Sequence, residues 1–190
     1  MNLPNKLTIL RLIMIPIFVA VYYLNVIPYN YVISAVIFAL AAFTDFLDGY
    51  IARKYNLVTN LGKFLDPIAD KVLVSTALIV MLVAPSGGEI ILPAYAGIAV
   101  AIILARELIV SGFRIVAASK GMVLAADKAG KIKTFVQDVA VVVLLVGADV
   151  MAGLYSAMNI AGLVILGVAT LLTIISGAEC MIKNSAVLKG

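Results

Sequence analysis

Six apolar stretches of about 20 residues, the length a helix needs to cross a bilayer, recur along this chain of 190 residues. They fall at 7–24, 31–47, 67–83, 90–119, 134–150 and 154–176. Inside hydrocarbon every backbone N–H and C=O must find its partner within the protein, so only helices and closed barrels span. The stretches are uninterrupted rather than alternating, which excludes barrel strands. Of the residues, 64% are hydrophobic and 13% charged, against roughly 45–50% and 25% in soluble domains. A soluble core of this size would leave too much apolar surface in water. The expectation is an all-α polytopic membrane protein, a single domain over 1–190 with six transmembrane helices.

Local signals refine that outline. The first stretch has no small-x-small cleavage site before Asn25 and further spans follow it, so it reads as mature structure rather than a signal peptide. Pro16 is expected to kink it. Pro85, Ser86, Gly87 and Gly88 read as a turn. Gly162, Gly167 and Ala169 are candidate contact points of the last helix.

Charge gives the orientation. All fourteen lysines and arginines map to one face of a six-span bundle. They lie at the N-terminus (Lys6, Arg11), around the second loop (Arg53 to Lys71), around the fourth (Arg106 to Lys133) and at the C-terminus (Lys183, Lys189). The opposite face carries only Glu89 and Asp149. The positive-inside rule makes the basic face cytoplasmic, with both termini there and the protein in the cell membrane. Cys180 is the single cysteine, so no internal disulfide forms, and the absence of histidine excludes imidazole metal sites and Ser-His or Cys-His catalysis. Carboxylates, lysines and arginines must carry any chemistry.

Four carboxylates stand where this apolar chain enters and leaves the membrane: Asp45, Asp48, Asp66 and Asp70. Asp45 and Asp48 are three apart and Asp66 and Asp70 four apart, so each pair shares a helix face. At ~1.5 Å rise per residue from Tyr31, the first pair lies roughly 21–26 Å along its helix, in the cytoplasmic leaflet. A short loop makes the two helices antiparallel neighbours, and the four side chains can converge. An aspartate at a helix centre in the bilayer costs about 2.5–3.5 kcal/mol, less towards the interface. Four together repel one another unless protons or cations neutralise them. Hard oxygen donors without thiolate or imidazole suit Mg2+ or Mn2+, one ion or two. The plainer reading pairs these aspartates with Arg53, Lys54, Lys63 and Lys71 as interfacial salt bridges. Gly49 and Gly62 would let a ligand approach the backbone closely, or serve as packing and turn glycines.

The full spacing, D-x2-D-G-x2-A-R-x8-G-x3-D-x3-D, resembles the signature of the CDP-alcohol phosphotransferases, and Asp45, Asp48, Gly49, Ala52, Arg53, Gly62, Asp66 and Asp70 match every fixed position. The resemblance implies a six-helical, membrane-embedded, usually dimeric enzyme that moves a phosphatidyl or similar group from a CDP-linked donor to an alcohol, releasing CMP. It implies that Asp45, Asp48, Asp66 and Asp70 surround the metal and that Asp70 is the general base. It implies, too, that Gly49, Ala52, Arg53 and Gly62 contact the cytidine diphosphate part. Nucleic acid is not an expected partner.

Three more segments bear on the substrates. Asn2 to Arg11 with Asn5 and Thr8, Arg106-Glu107 with Ser111 and Arg114, and Lys131 to Thr134 with Gln137 resemble family members that act on glycerol 3-phosphate. That likeness implies CDP-diacylglycerol as donor, with Asn5 and Thr8 among its contacts. It also implies glycerol 3-phosphate as acceptor, its phosphate met by Arg106, Arg114, Lys131 and Lys133. Arginine suits phosphate through bidentate bonds. On residues alone, Asn5, Thr8 and Arg11 also read as helix capping and flank charge, the loop lysines as a surface for anionic lipid, and Arg106 as a structural partner of Glu107 or Asp138. Inositol phosphate, serine and phosphatidylglycerol are the alternative acceptors. An ion carrier is the alternative from another class, but the outer halves of the spans are almost wholly apolar and offer no polar pathway.

Overall fold

The computed structural model describes residues 3–24, 26–55, 60–83, 90–120, 128–150 and 157–184, without the side chains of 3, 4, 46, 50, 52, 53, 60–67, 128 and 129. The apolar runs form six helices: α1 (Leu3–Tyr23), α2 (Asn30–Lys54), α3 (Asn60–Met81), α4 (Ala96–Ser119), α5 (Lys128–Val150) and α6 (Ala157–Lys183). Among the described residues there is no strand. Four of the helices, α1, α2, α4 and α6, are long and apolar enough to cross a membrane, which makes this a multi-pass membrane protein. The helices α3 and α5 carry Asp66, Asp70 and Lys71, and Lys131, Lys133 and Asp138, within their first three to four turns. Those charges lower their mean hydropathy.

Helix ends depart from the apolar stretches for the same reason. Hydropathy stops at the first charge, whereas backbone hydrogen bonding continues through it. Thus α2 runs on from Leu47 to Lys54, and α5 begins at Lys128 rather than Thr134. At the other extreme α4 begins at Ala96 rather than Ile90, after a turn in which Ala96 N–H donates to Pro93 O at 2.8 Å and Leu92 N–H to Met81 O at 3.0 Å. Arg106 therefore lies ~15 Å into its helix, not the ~24 Å implied by a start at Ile90. Pro16 sits inside α1 without ending it. The proposed turn at Pro85 to Gly88 lies outside the described residues.

Neighbouring helices alternate in direction. At one end Tyr22 O accepts from Asn30 Nδ2 at 2.9 Å, and Asp149 Oδ2 accepts from Val32 N–H at 2.7 Å. Asp149 on α5 thereby caps the first turn of α2, where unpaired N–H groups and the helix dipole favour a carboxylate. Tyr29, with φ 58°, turns the chain into that helix. Beneath it Phe18, Tyr22, Tyr31 and Phe38 pack ring against ring with centroids 5.3–6.3 Å apart. At the opposite end lie the start of α1, the end of α6 and the charged residues described below.

The core is apolar and shared by all six helices, with Phe18, Phe38, Leu78, Leu92, Ile103 and Leu144 nearly inaccessible. Outward faces remain apolar as well, as at Ile13, Leu40, Phe43, Ile98, Ile115 and Val164. In water such a surface would aggregate; in lipid it is matched to its solvent. Of the last helix's small residues, Gly162 lies directly against α5: an added Cβ would come 2.6 Å from Leu144 Cγ. Ala169 is fully buried, but Gly167 faces open space. Gly162→Ala should therefore destabilise the folded protein in detergent by about 1–3 kcal/mol through overpacking. Gly167→Ala should stabilise it by roughly 0.5–1 kcal/mol through helix propensity. Equal shifts in unfolding for the two variants would contradict this packing.

Candidate active site

The centre of the charged end is Arg11. It projects from α1 into the bundle and is fully buried. Its Nη1 donates to Asp45 Oδ1 and its Nη2 to Asp48 Oδ2, both at 2.6 Å. Its Nε donates to Ala41 O at 3.2 Å. Asp45 and Asp48 fall on one face of α2 because they are one turn apart, and there they converge on a single cation. Asp48 is almost completely buried, while the Asp45 side chain keeps 41% of its exposure. Asn5 and Thr8, about two turns and one turn before Arg11, are buried too. The start of α1 thus presents a polar inner face rather than a capped and solvated flank.

Asp70 stands on α3 across from this pair, within electrostatic reach of Asp45, Arg11, Glu107 and Lys133. It lines a cleft between α3, α4 and α5 together with Lys71, Glu107, Lys133, Thr134 and Gln137. Lys133 is buried and donates to Glu107 Oε1. Lys71 donates to Ser111 Oγ. Gln137 is buried, and its Oε1 has no hydrogen-bond partner among the described residues. The same holds for Asp138 Oδ1, which lies within electrostatic reach of Asp70, Lys133 and Asp45. A buried acceptor without a donor costs about 1–3 kcal/mol, so a cleft lined by Gln137 is suited to a ligand that brings a hydroxyl donor.

The sequence-derived residues separate into three groups. Asp45, Asp48, Asp70, Asn5, Thr8 and Lys133 meet at this end of the bundle, with Gly49 half-buried beside Asp48. Arg106 faces α6, donating to Ser176 Oγ at 2.9 Å and to Glu107 Oε1 at 3.1 Å, and it does not line the cleft. Arg114 and Lys131 are exposed. Asp66, Gly62, Ala52 and Arg53 are on helical backbone, but their side-chain positions lie outside the described residues. Among the described residues no group of three or more carboxylates is gathered at metal-binding distance.

Other participants take parts beyond those the sequence suggests, although Arg106 does pair with Glu107, one of its two expected structural partners. Arg11, read from the sequence as flank charge, is a partner of the first two aspartates. Its signal was the i, i+3, i+6 run of Asn5, Thr8 and Arg11 on an otherwise apolar helix, which a flank-charge reading overlooks. Glu107 is the pivot of the basic cleft, and Asp138 faces the aspartates instead of pairing with Arg106. Nothing in the spacing of Lys71 and Ser111 announces their contact, because it joins two helices 40 residues apart.

Removing Arg11 would leave Asp48 buried without its guanidinium, and uncompensated buried charges cost about 3–5 kcal/mol. Because Asp45 is partly solvated, Arg11→Met should destabilise the protein in detergent by about 3 kcal/mol, the lower end of that range. Adding Asp48→Asn to that variant should recover part of the loss, since the orphaned charge is gone. Additive losses in the double variant would refute the pairing.

Comparison with known proteins agrees with the motif. A model of the CDP-alcohol phosphatidyltransferase family matches residues 1–175. A Bacillus subtilis protein named CDP-diacylglycerol–glycerol-3-phosphate 3-phosphatidyltransferase is 43% identical, over 99% of this chain and 97% of its own length. Proteins of the same name from Rickettsia bellii (43% identical, 93% of this chain, 91% of that one) and Salmonella typhimurium (41%, 76% and 76%) are also similar.

Proposed function

This chain belongs to the CDP-alcohol phosphatidyltransferase family, and from that premise we propose that it transfers the phosphatidyl group of CDP-diacylglycerol to glycerol 3-phosphate. The products are phosphatidylglycerophosphate and CMP. The relatives' shared name supports the choice of substrates. One observation carries the mechanism: Asp70 lies between the convergent carboxylates of α2 and a cleft containing two lysines.

The residues suit a divalent cation. Asp45 and Asp48 already direct one oxygen each at a single positive group, and carboxylate oxygens are the donors that Mg2+ and Mn2+ prefer. Asp45, Asp48, Asp66 and Asp70 would hold one or two ions, which when bound supply neutralisation of the charge developing on the diphosphate. On the acceptor side, Lys133 and Lys71 attract the phosphate of glycerol 3-phosphate, and Gln137 Oε1 accepts from a hydroxyl. Asp70 takes the proton of the attacking hydroxyl. The new P–O bond forms to that oxygen as the P–O bond to CMP breaks. Asn5, Thr8, Gly49, Ala52, Arg53 and Gly62 contact the donor nucleotide in this reading.

The proposal extends to the membrane. Beyond their charged N-terminal parts α3 and α5 are apolar, at 72–83 and 139–148. They run antiparallel to helices long enough to span, which favours six crossings. The distribution of basic residues favours cytoplasmic termini and a cytoplasmic active site. There the soluble acceptor meets a donor whose chains lie in lipid. A homodimer completes the arrangement expected of the family.

The test is CMP release by purified protein given CDP-diacylglycerol, Mg2+ or Mn2+ and a panel of alcohols. Release with glycerol 3-phosphate is expected; none with any acceptor would refute the enzymatic reading, and preference for an alcohol without phosphate would refute the acceptor. In the same assay Asp70→Asn should lower kcat about a hundred- to ten-thousand-fold, the span of general-base contributions, with membrane insertion unchanged. Normal turnover would remove Asp70 from the mechanism.

A further inference from the structure

The cleft is lined by two lysines, Lys71 and Lys133, and two carboxylates, Asp70 and Glu107, and the second of these acids is held from outside the cleft. Glu107 Oε1 receives both Lys133 Nζ and, at 3.1 Å, Arg106 Nη1. Arg106 is anchored on the far side by α6, where its Nη2 donates to Ser176 Oγ at 2.9 Å. Ser176 is buried and in turn donates to Thr173 O at 3.3 Å. The stem of Arg106 crosses α6 at Gly177: an added Cβ there would come 2.9 Å from Arg106 Cγ and 3.2 Å from Nε. Cγ is near the root of the side chain, so it cannot swing aside without moving the guanidinium. These two α6 positions follow directly on the stretch that the family model matches.

The electrostatic consequence reaches the cleft. Glu107 with Lys133 alone would be a neutral pair, its ammonium committed to one carboxylate. With Arg106 sharing the same oxygen, the trio carries one net positive charge and Lys133 retains attraction for an anion. The oxygen is also fixed from two directions, which fixes where the ammonium sits.

We propose that Ser176 and Gly177 are positioning residues for the anion-binding end of the cleft: they seat Arg106, which seats Glu107, which places Lys133. The proposal rests on the reading of this cleft as the site of the acceptor phosphate. It assigns Arg106 a supporting part rather than contact with the acceptor, and it brings α6 into acceptor recognition.

The experiment compares wild type, Gly177→Ala and Ser176→Ala by steady-state kinetics and by calorimetric binding of inorganic phosphate to the purified protein. Gly177→Ala should raise KM for glycerol 3-phosphate and weaken phosphate binding by about tenfold, the scale on which loss of supporting contacts acts at charged sites. KM for CDP-diacylglycerol should stay within about twofold, as expected when only one substrate's binding is lost. Ser176→Ala removes a hydrogen bond without adding bulk and should act in the same direction, more weakly. Unchanged phosphate binding in both variants would overturn the proposal, as would parallel rises in both KM values with a fall in Tm, or a wild type that binds no phosphate. A wild type that binds phosphate but releases no CMP with glycerol 3-phosphate would refute the functional reading instead, leaving the phosphate measurements to decide the relay.

Discussion

A guanidinium buried between two carboxylates sets the terms for the rest of this protein. Arg11 reaches Asp45 and Asp48 at 2.6 Å each from within an apolar bundle. Charges in such surroundings persist only when paired and hydrogen-bonded. The pairing ties α1 to the end of α2 and fixes which faces of both helices turn inward. It also turns the two carboxylates towards one point, the arrangement that a carboxylate cation site requires. The same interaction therefore serves packing and sets the geometry of the proposed site, and Asn5 and Thr8 are buried beside it.

The two ends of the bundle solve different problems. At the far end the helices are joined by apolar and neutral contacts, with Asp149 spent on the first turn of α2 and aromatic rings filling the space beneath. At the site end polar side chains join the helices: Arg11 with α2, Lys71 with Ser111, Lys133 with Glu107, and Arg106 with Ser176. Concentrating charge at one end keeps the remaining length of each helix compatible with lipid.

A cleft lined by two lysines and two carboxylates looks at first like a poor design for the anion proposed to bind there. Lysines left unpaired in a partly dry cleft would repel one another and lose their charge at a cost. Glu107 reduces that repulsion while Arg106 keeps the group net positive. The outcome is a cleft that holds its cations in place before a ligand arrives, which is preorganisation in the electrostatic sense.

How much of this was legible in the chain depends on the range of the interaction. Helix number, the antiparallel order and the pairing of aspartates on shared faces follow from local periodicity and from the bilayer as solvent, so sequence alone determined them. The eight-residue signature spans only 26 positions, from Asp45 to Asp70, and local spacing was enough to place Asp45, Asp48 and Asp70 together. The partners of those residues were beyond its reach. That Arg11 meets Asp45, that Arg106 turns to α6 while Lys133 enters the cleft, and that Glu107 rather than Asp138 pairs with Arg106 all depend on how helices rotate against one another. Rotation is decided by packing across 30 to 70 residues of chain, where periodicity carries no information. The sequence determined which charges must be hidden, and only the tertiary structure decided which of them hide each other.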